Sequence, residues 1–377
     1  MKYIYILAFI VLFSCKKEDN FENNLVSVIK FEQEKLINIS DITQDLEIIK
    51  LESNENCILS GLKKIEFYNQ NIYITDIIFN GVYIFDKLGN LVSKFSKEGG
   101  GPGEYLVVSD FFIDKYNENL EILDKDSRKI FIYDLKDLSF VKEIPIPLTF
   151  IFKFVKYKDD YYFQTNNSLN DINGISTNSP VIRYNLNSKK IDPLLTSNLP
   201  PEENQFWEFY DIFTVNSEDE IFISLAWHNQ LYKIINREIV PIFSVDPGDK
   251  GIPTKIRTEP YQDKMDYLNS DLMDDKLHFF KILMMESDNY LLGYGLGYPP
   301  KVCYNFFLNR KNRNIYTNNL VNDYNSSLYE ELKIFKTYNG NIISIIDPEN
   351  DSFDEQVLNQ WGLEKNDNPA ILIFKLL

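Results

Sequence analysis

Short apolar runs of strand length, each bounded by Asp, Asn, Gly or Pro, recur from residue 61 to the end of the chain. Within them apolar and polar positions alternate, the pattern of a strand with one wet face. The clearest unit is NIYITDIIFNGVYIFDKLGNLVSKFS, residues 71–96: strand, turn, strand, then a hairpin over Gly89-Asn90. With KKIEFY ahead of it, this unit makes a group of four strands. A second group is DFFIDKY, LEILDKD, KIFIYD and FVKEIPI (residues 110–146), where residues 135–139 replace the glycine turn. The third runs IFKFVKY, YYFQT, VIRYN and KIDPLL, with a polar insert at residues 166–179 in place of its middle turn.

The fourth group is YDIFTV, EIFISLA, QLYKII and IVPIFSV (residues 210–245), and the fifth is HFFKILMM, YLLGYGL, KVCYNFFLN and NIYTNNL (residues 278–320). A sixth opens with LKIFKTY and NIISIID, breaks at a segment of helical character (residues 351–362), and resumes at PAILIFKLL, residues 369–377. It is one strand short, and DLEIIKLE (residues 45–52) is a spare strand before the first group. The expected fold is therefore all-β, a six-bladed β-propeller closed by an N-terminal strand joining the last blade. Closure of that kind leaves no open sheet edge. Residues 196–208, and residues 247–275 with a short helix in PYQDKMDYLNS, are expected to cross the blade ends as loops.

The N-terminus reads as an address. Lys2 precedes an apolar stretch from Tyr3 to Phe13, about half the ~20 residues a spanning helix needs. Leu12-Phe13-Ser14-Cys15 resembles the lipobox of bacterial lipoproteins, with Phe13 bulkier than usual at its position. The resemblance implies cleavage before Cys15 and a diacylglycerol anchor on its thiol. Lys16-Lys17-Glu18-Asp19 resembles the acidic export signal of Bacteroidota-type surface lipoproteins, implying display at the outer membrane surface, with a periplasm-facing anchor as the alternative. The domain expectation is a signal peptide over residues 1–14, lipidated cysteine and tether over 15–38, and the propeller over 39–377. Of the other cysteines, Cys57 lies just before the first group and Cys303 in the fifth, and both are expected to be isolated buried thiols without metal or redox spacing.

Composition narrows the partners. The 28 Phe and 24 Tyr suit pleated, packed surfaces. A formal charge of −17, from 56 acidic and 39 basic residues, argues against nucleic acid, which is held through cationic contacts to phosphate.

FDKLGNLVSKFSKEGGGPGEY, with Phe85-Asp86, Gly89 and the run from Gly99 to Tyr105, resembles the signature of a Bacteroidota family of six-bladed β-propeller lipoproteins related in architecture to NHL-repeat propellers. ISDITQDLEIIKLES (residues 39–53) resembles that family's lead-in. The resemblance implies fold and address rather than an activity.

Candidate chemistry is sparse. Gly99 to Gly103 invite a phosphate-cradle reading, but a P-loop needs Gly-Lys-Ser/Thr opening a helix. Here Pro102 lacks a donor and Glu104 would repel an anion. A structural crossover between the first two blades is favoured, Gly101, Pro102 and Gly103 forming the turns and Glu104 and Tyr105 bonding a neighbouring blade. Only His228 and His278 are present, without ligand spacing, and no nucleophile motif or singled-out carboxylate pair occurs. Asp76, Asp86, Asp124 and Asp134 sit at strand ends as turn formers. No metal and no cofactor are expected. Residues near the starts of the innermost strands frame the channel mouth: Lys64, Asp110, Lys153, Tyr210, His278 and Lys333, with Trp207 and Trp227 as aromatic platforms. Such a set suits a sugar or a peptide. The functional expectation is a non-enzymatic binding propeller for a glycan, peptide or envelope partner. The alternatives are a propeller enzyme of lyase or glycoside hydrolase type and a structural subunit of an envelope complex.

Overall fold

The computed structural model describes residues 27–30, 37–196, 211–216, 218–225, 230–246, 277–287, 290–297, 303–309, 314–318, 320–321, 334–349 and 355–377; over 277–321 the description is of backbone only. The fold is an all-β propeller. Its larger sheets are five of four strands and one of five. The first holds Leu62–Tyr68, Asn71–Asp76, Val82–Asp86 and Leu91–Phe95 in that spatial order. The second holds Asp110–Asp114, Asn119–Asp124, Lys129–Asp134 and Phe140–Pro145. The third holds Lys153–Tyr157, Asp160–Gln164, Val181–Asn185 and Ile191–Pro193. The fourth runs from Phe213–Val215 out to Glu238–Asp246, and the fifth from Leu277–Ser287 out to Asn314–Asn318. In the sixth, Ile334–Tyr338, Asn341–Ile346 and Ala370–Leu376 are followed by Thr43–Lys50 at the edge, antiparallel to Ala370–Leu376.

The alternating pattern buries two faces rather than one. In Asn71–Asp76, Ile72 and Ile74 pack with Ile49, Ile343 and Ile371 of the sixth sheet, while Tyr73 packs with Phe111, Ile122 and Tyr133 of the second. Each middle strand is sandwiched between neighbouring sheets, so the wet face expected from the sequence is confined to outer strands such as Phe140–Pro145. Innermost strands of neighbouring sheets touch: Leu62–Tyr68 with Asp110–Asp114, and Asp110–Asp114 with Lys153–Tyr157.

Strand ends sort into two faces. At one face the connections are tight turns, including Asn69-Gln70, Asn236-Arg237 and Asn339-Gly340, whose paired positive φ values give the twist a two-residue hairpin prefers. At the other lie the longer connections, residues 51–61, 96–109, 146–152 and 165–180. Aspartates organise that second face. Asp76 accepts from the Ser60 and Gly61 amides through one oxygen (2.6 and 3.1 Å) and from Ile78 and Phe79 through the other (2.8 and 2.7 Å).

Three features depart from the sequence reading. The tether segment contributes strand: Ser27–Lys30 pairs in parallel with Glu238–Asp246, and Ile37–Asn38 with Leu320–Val321. The polar insert folds as its own hairpin, Asn170–Ile172 against Ile175–Thr177, turning on Asn173 and Gly174 with φ of 54° and 82°. The helical segment ends two residues sooner than expected, its described helix being Glu355–Gln360, and delivers Leu358, Trp361 and Leu363 onto the sixth sheet. Asn368 then clasps the chain ends. Its Nδ2 donates to the Glu52 and Cys57 carbonyls (2.6 and 2.8 Å), and its Oδ1 accepts from the Leu59 amide (2.7 Å). Cys57 is free and buried, and burial, with the nearby Glu52 charge, pushes its thiol up to about 11. The loops expected over residues 196–208 and 247–275 lie almost wholly outside the described residues, as does Cys15.

Candidate functional site

A cavity of about 1260 Å³ runs along the axis of the ring. Its lining extends from Leu62, Lys153 and Asp211 at the long-loop end to Tyr116, Asn117, Lys158 and Asn339 at the tight-turn end. The innermost strand of each sheet sets these positions, because only its edge faces the axis. The described lining residues include seven lysines and five carboxylates, and Asp110 and Glu121 behind the wall pair with Lys64 and Lys156, so the cavity concentrates charge of both signs.

At the long-loop end the structure brings Lys64, Asp110 and Lys153 together from three sheets. Lys64 Nζ lies 2.9 Å from Asp110 Oδ1 and 3.5 Å from Asp211 Oδ2. Asp110 Oδ2 accepts from the Phe154 amide at 2.9 Å, and Lys153 Nζ stands 3.7 Å from Asp110 Oδ1. Burial works against both charges of the Lys64–Asp110 pair, but each is outweighed. The Asp110 and Asp211 carboxylates hold Lys64 above its ordinary range, while Lys64, Lys153 and the Phe154 amide hold Asp110 below the usual carboxylate range. At the rim, desolvation pushes Lys63 below its ordinary value and repulsion from Lys153 adds to it.

Deeper along the ring a second network joins sheets two and three. Lys156 pairs with Asp114 and with Glu121 Oε1 (2.6 Å), and the Tyr161 hydroxyl donates to Glu121 Oε2 at 2.8 Å. Glu121 is fully buried, and that burial pushes its carboxyl above the usual range despite these donors. Lys336 joins the sixth sheet to the first, donating to Glu66 Oε2 at 2.7 Å and to the Ile65 carbonyl at 3.0 Å. Aromatic rings complete the walls, Phe67 stacking on Tyr338 at 4.6 Å.

The other residues expected at the mouth fall elsewhere in the description. Trp207, Tyr210, Trp227 and Lys333 lie outside the described residues, and His278 is placed only as backbone in Leu277–Ser287. Lys63, Glu66, Asp114, Lys156, Asp211 and Lys336 were not anticipated. The available signal was charge at even spacing along an innermost strand: Lys64 and Glu66 two residues apart in one, Asp110 and Asp114 four apart in the next.

The Gly99 to Tyr105 loop crosses from the first sheet to the second at the long-loop face. Its amides point into the loop: Glu104 Oε2 accepts from the Gly101 amide (2.8 Å), and the Gly99 amide donates to the Tyr105 carbonyl (3.0 Å). Glu104 thus bonds its own turn rather than the neighbouring sheet, occupying the place an anion would need. Tyr105 is fully buried against Phe131 and Tyr133, and the Tyr133 hydroxyl donates to the Gly103 carbonyl at 2.9 Å. Among the described residues no group of three or more His, Cys, Asp or Glu is placed to hold a metal ion.

Comparison with solved structures places the fold. A Bacteroides fragilis NCTC 9343 protein described as exported superimposes with a TM-score of 0.70 at 18% identity, covering 93% of this chain and 100% of its own. A member of the DUF4221 family from Bacteroides vulgatus ATCC 8482 gives a TM-score of 0.53 at 8% identity, over 89% of this chain and 97% of its own. No curated protein matches the chain. Residues 24–375 match the family described as "Domain of unknown function (DUF4934)", a span that takes in every sheet and the axial cavity, and the chain belongs to that family.

Proposed function

We propose that this is an exported, lipid-anchored binding protein that takes its ligand, a glycan, peptide or envelope partner, in the axial cavity. The observation that carries the reading is the cavity itself. At about 1260 Å³ it is large enough for an oligosaccharide or a short peptide, and it combines aromatic walls with fixed charges. Binding is favoured over catalysis because the charged groups are committed to one another. Asp110 is held by Lys64 and an amide, Glu66 by Lys336, and Asp114 by Lys156. A lyase or glycoside hydrolase reading would draw on Glu121, the described carboxylate pushed upward, yet Glu121 is fully buried and is not part of the lining.

The architecture we ascribe to the chain is a six-bladed ring closed by Thr43–Lys50 in the last blade. Six large sheets and the pairing of that strand with Ala370–Leu376 support it. Anchoring through Cys15 at the outer membrane surface is supported by the sequence Leu12-Phe13-Ser14-Cys15 and the acidic Glu18-Asp19 that follow.

Glycan and peptide arrays probed with residues 24–377 test the binding role. Thr214 lines the cavity, and its hydroxyl is buried without a hydrogen-bond partner, so Thr214→Trp plugs the space without stranding a donor. Array binding is expected to vanish in Thr214→Trp; binding that persists there overturns the cavity as the site. Palmitate labelling that is absent, or that survives Cys15→Ser, overturns the anchor.

A further inference from the structure

Granted the cavity as the ligand site, as proposed above, we infer that its long-loop end is an anion subsite in which Lys63 and Lys153 receive the carboxylate of an acidic sugar. The first support is the charge balance of the mouth. Two buried lysines, Lys64 and Lys153, stand there against Asp110 and Asp211, and Lys63 adds a third ammonium at the exposed rim. Lys64 engages both carboxylates. Lys153 is left with Asp110 at 3.7 Å, beyond hydrogen-bond length, and that carboxylate already accepts from Lys64 and the Phe154 amide. The Lys153 side chain is only 11% exposed, and among the described residues neither its ammonium nor that of Lys63 donates a hydrogen bond. A largely buried ammonium with unfilled donors is costly, and an incoming anion relieves that cost. Desolvation lowers the Lys63 pKa first, and repulsion from Lys153 adds to it, which sets the two ammoniums near one another.

The neighbours of the lysines choose among anions. Three lysine charges against the two carboxylates Asp110 and Asp211 leave one net positive charge, which a single carboxylate balances and a dianionic phosphate exceeds. The chain's formal charge of −17 disfavours an extended polyanion, which would have to approach through a negative field. A single carboxylate on an otherwise neutral ligand avoids both penalties. Below the lysines the walls are Phe213, Tyr157, Phe335 and Tyr338, with Asn216 and Asn339 between them. Ring faces beside amides match a pyranose, whose C–H face stacks and whose hydroxyls need donors and acceptors.

The test is a glycan array carrying uronate oligosaccharides, their carboxyl-reduced counterparts and oligoglutamate peptides, followed by calorimetry on the hits. Uronate glycans are expected to bind, weakening at least tenfold on carboxyl reduction and at least tenfold in Lys63→Gln/Lys153→Gln, with Lys153→Arg retaining most of the affinity. Thermal melting of each variant separates lost binding from lost fold. Equal binding of uronate and carboxyl-reduced glycans, unmoved by the double substitution but abolished in Thr214→Trp, overturns the anion subsite and leaves the cavity site standing. Binding that Thr214→Trp does not affect overturns the cavity site as well. Oligoglutamate binding without any uronate binding overturns the sugar, and binding of none of the probes overturns the subsite as stated.

Discussion

Removing the charge of Asp110 while keeping its shape tests what this carboxylate contributes to Lys64, with Lys153 as a weaker second partner at 3.7 Å. In Asp110→Asn the amide oxygen takes the place of Oδ2 and still accepts from Phe154, while Nδ2, a donor, replaces the Oδ1 that accepted from Lys64, so the Lys64 hydrogen bond goes with the charge. Lys64, largely buried with a side chain 10% exposed, then keeps one carboxylate, Asp211 at 3.5 Å and itself 27% exposed. Breaking a buried pair by removing one partner costs about 3–5 kcal/mol, because the other charge is left uncompensated. With Asp211 still in reach, the lower end applies, about 3 kcal/mol. Urea unfolding of residues 24–377 at neutral pH reads this as a lowered midpoint at constant slope. The cycle with Lys64→Met is the sharper measurement: if the two charges strand each other, the double variant is less destabilised than the sum by about 2 kcal/mol. The pH course follows from the directions of the shifts. Asp110's folded pKa lies below its unfolded value of about 3.9, so its contribution is present above roughly pH 4 and is lost as pH falls through the folded value. Lys64's folded pKa lies above its unfolded value of about 10.4, so its contribution holds below that pH and is lost only as pH rises through the folded value. The wild-type advantage over Asp110→Asn is therefore flat between about pH 5 and 9 and shrinks in acid. Additive single costs, or a difference that grows below pH 4, would refute the reasoning.

Three further outcomes are expected from stability measurements on the same fragment. Gly103→Ala forces a residue at φ +74° and sets its Cβ 2.6 Å from Phe140 Cγ, so it costs about 2–3 kcal/mol; a Phe140→Ala background removes the ring but keeps the residue 140 Cβ at 3.0 Å, so the cost falls toward the backbone strain of about 1 kcal/mol. Lys156→Met leaves Asp114 and Glu121 without their shared cation and costs about 3 kcal/mol, whereas Glu121→Gln keeps a partner for Tyr161, removes a disfavoured buried charge, and changes stability by less than about 1 kcal/mol. Asn368→Ala strands the Leu59 amide and the Glu52 and Cys57 carbonyls and costs about 3 kcal/mol by differential scanning calorimetry, with Asn368→Asp recovering only the Leu59 contact.

The strand groups were legible because both determinants of a blade are local: alternation within a strand, and Asn, Asp or Gly at the turns. The two-sided burial of Asn71–Asp76 was not, since NIYITD reads the same whether its second face meets water or another sheet. Lys64, Asp110 and Lys153 were placed by one topological fact, that a strand opening each group starts at the same end of the axis. Asp211 and Lys156 escaped because their partners lie on other sheets, at distances that no spacing along the chain encodes. Ser27–Lys30 escaped for a different reason. Four residues, SVIK, carry too little periodicity to stand out, and their pairing depends on a free edge more than 200 residues away.

The clasp made by Asn368 sets a clock on assembly. Its partner Glu52 lies 316 residues earlier in the chain, and at roughly 5–20 residues per second the wait between their syntheses is about 15–60 s. Throughout that interval Thr43–Lys50 has no Ala370–Leu376 to pair with, and the Leu59 amide lacks its acceptor. The sheets between, each built from neighbouring strands, can form in the meantime, but the closing sheet cannot be completed until the last residues arrive. That delay would suit the export proposed above, in which a polypeptide crosses a membrane before its fold is complete. It also predicts that losing a few C-terminal residues would harm the beginning of the chain as much as its end.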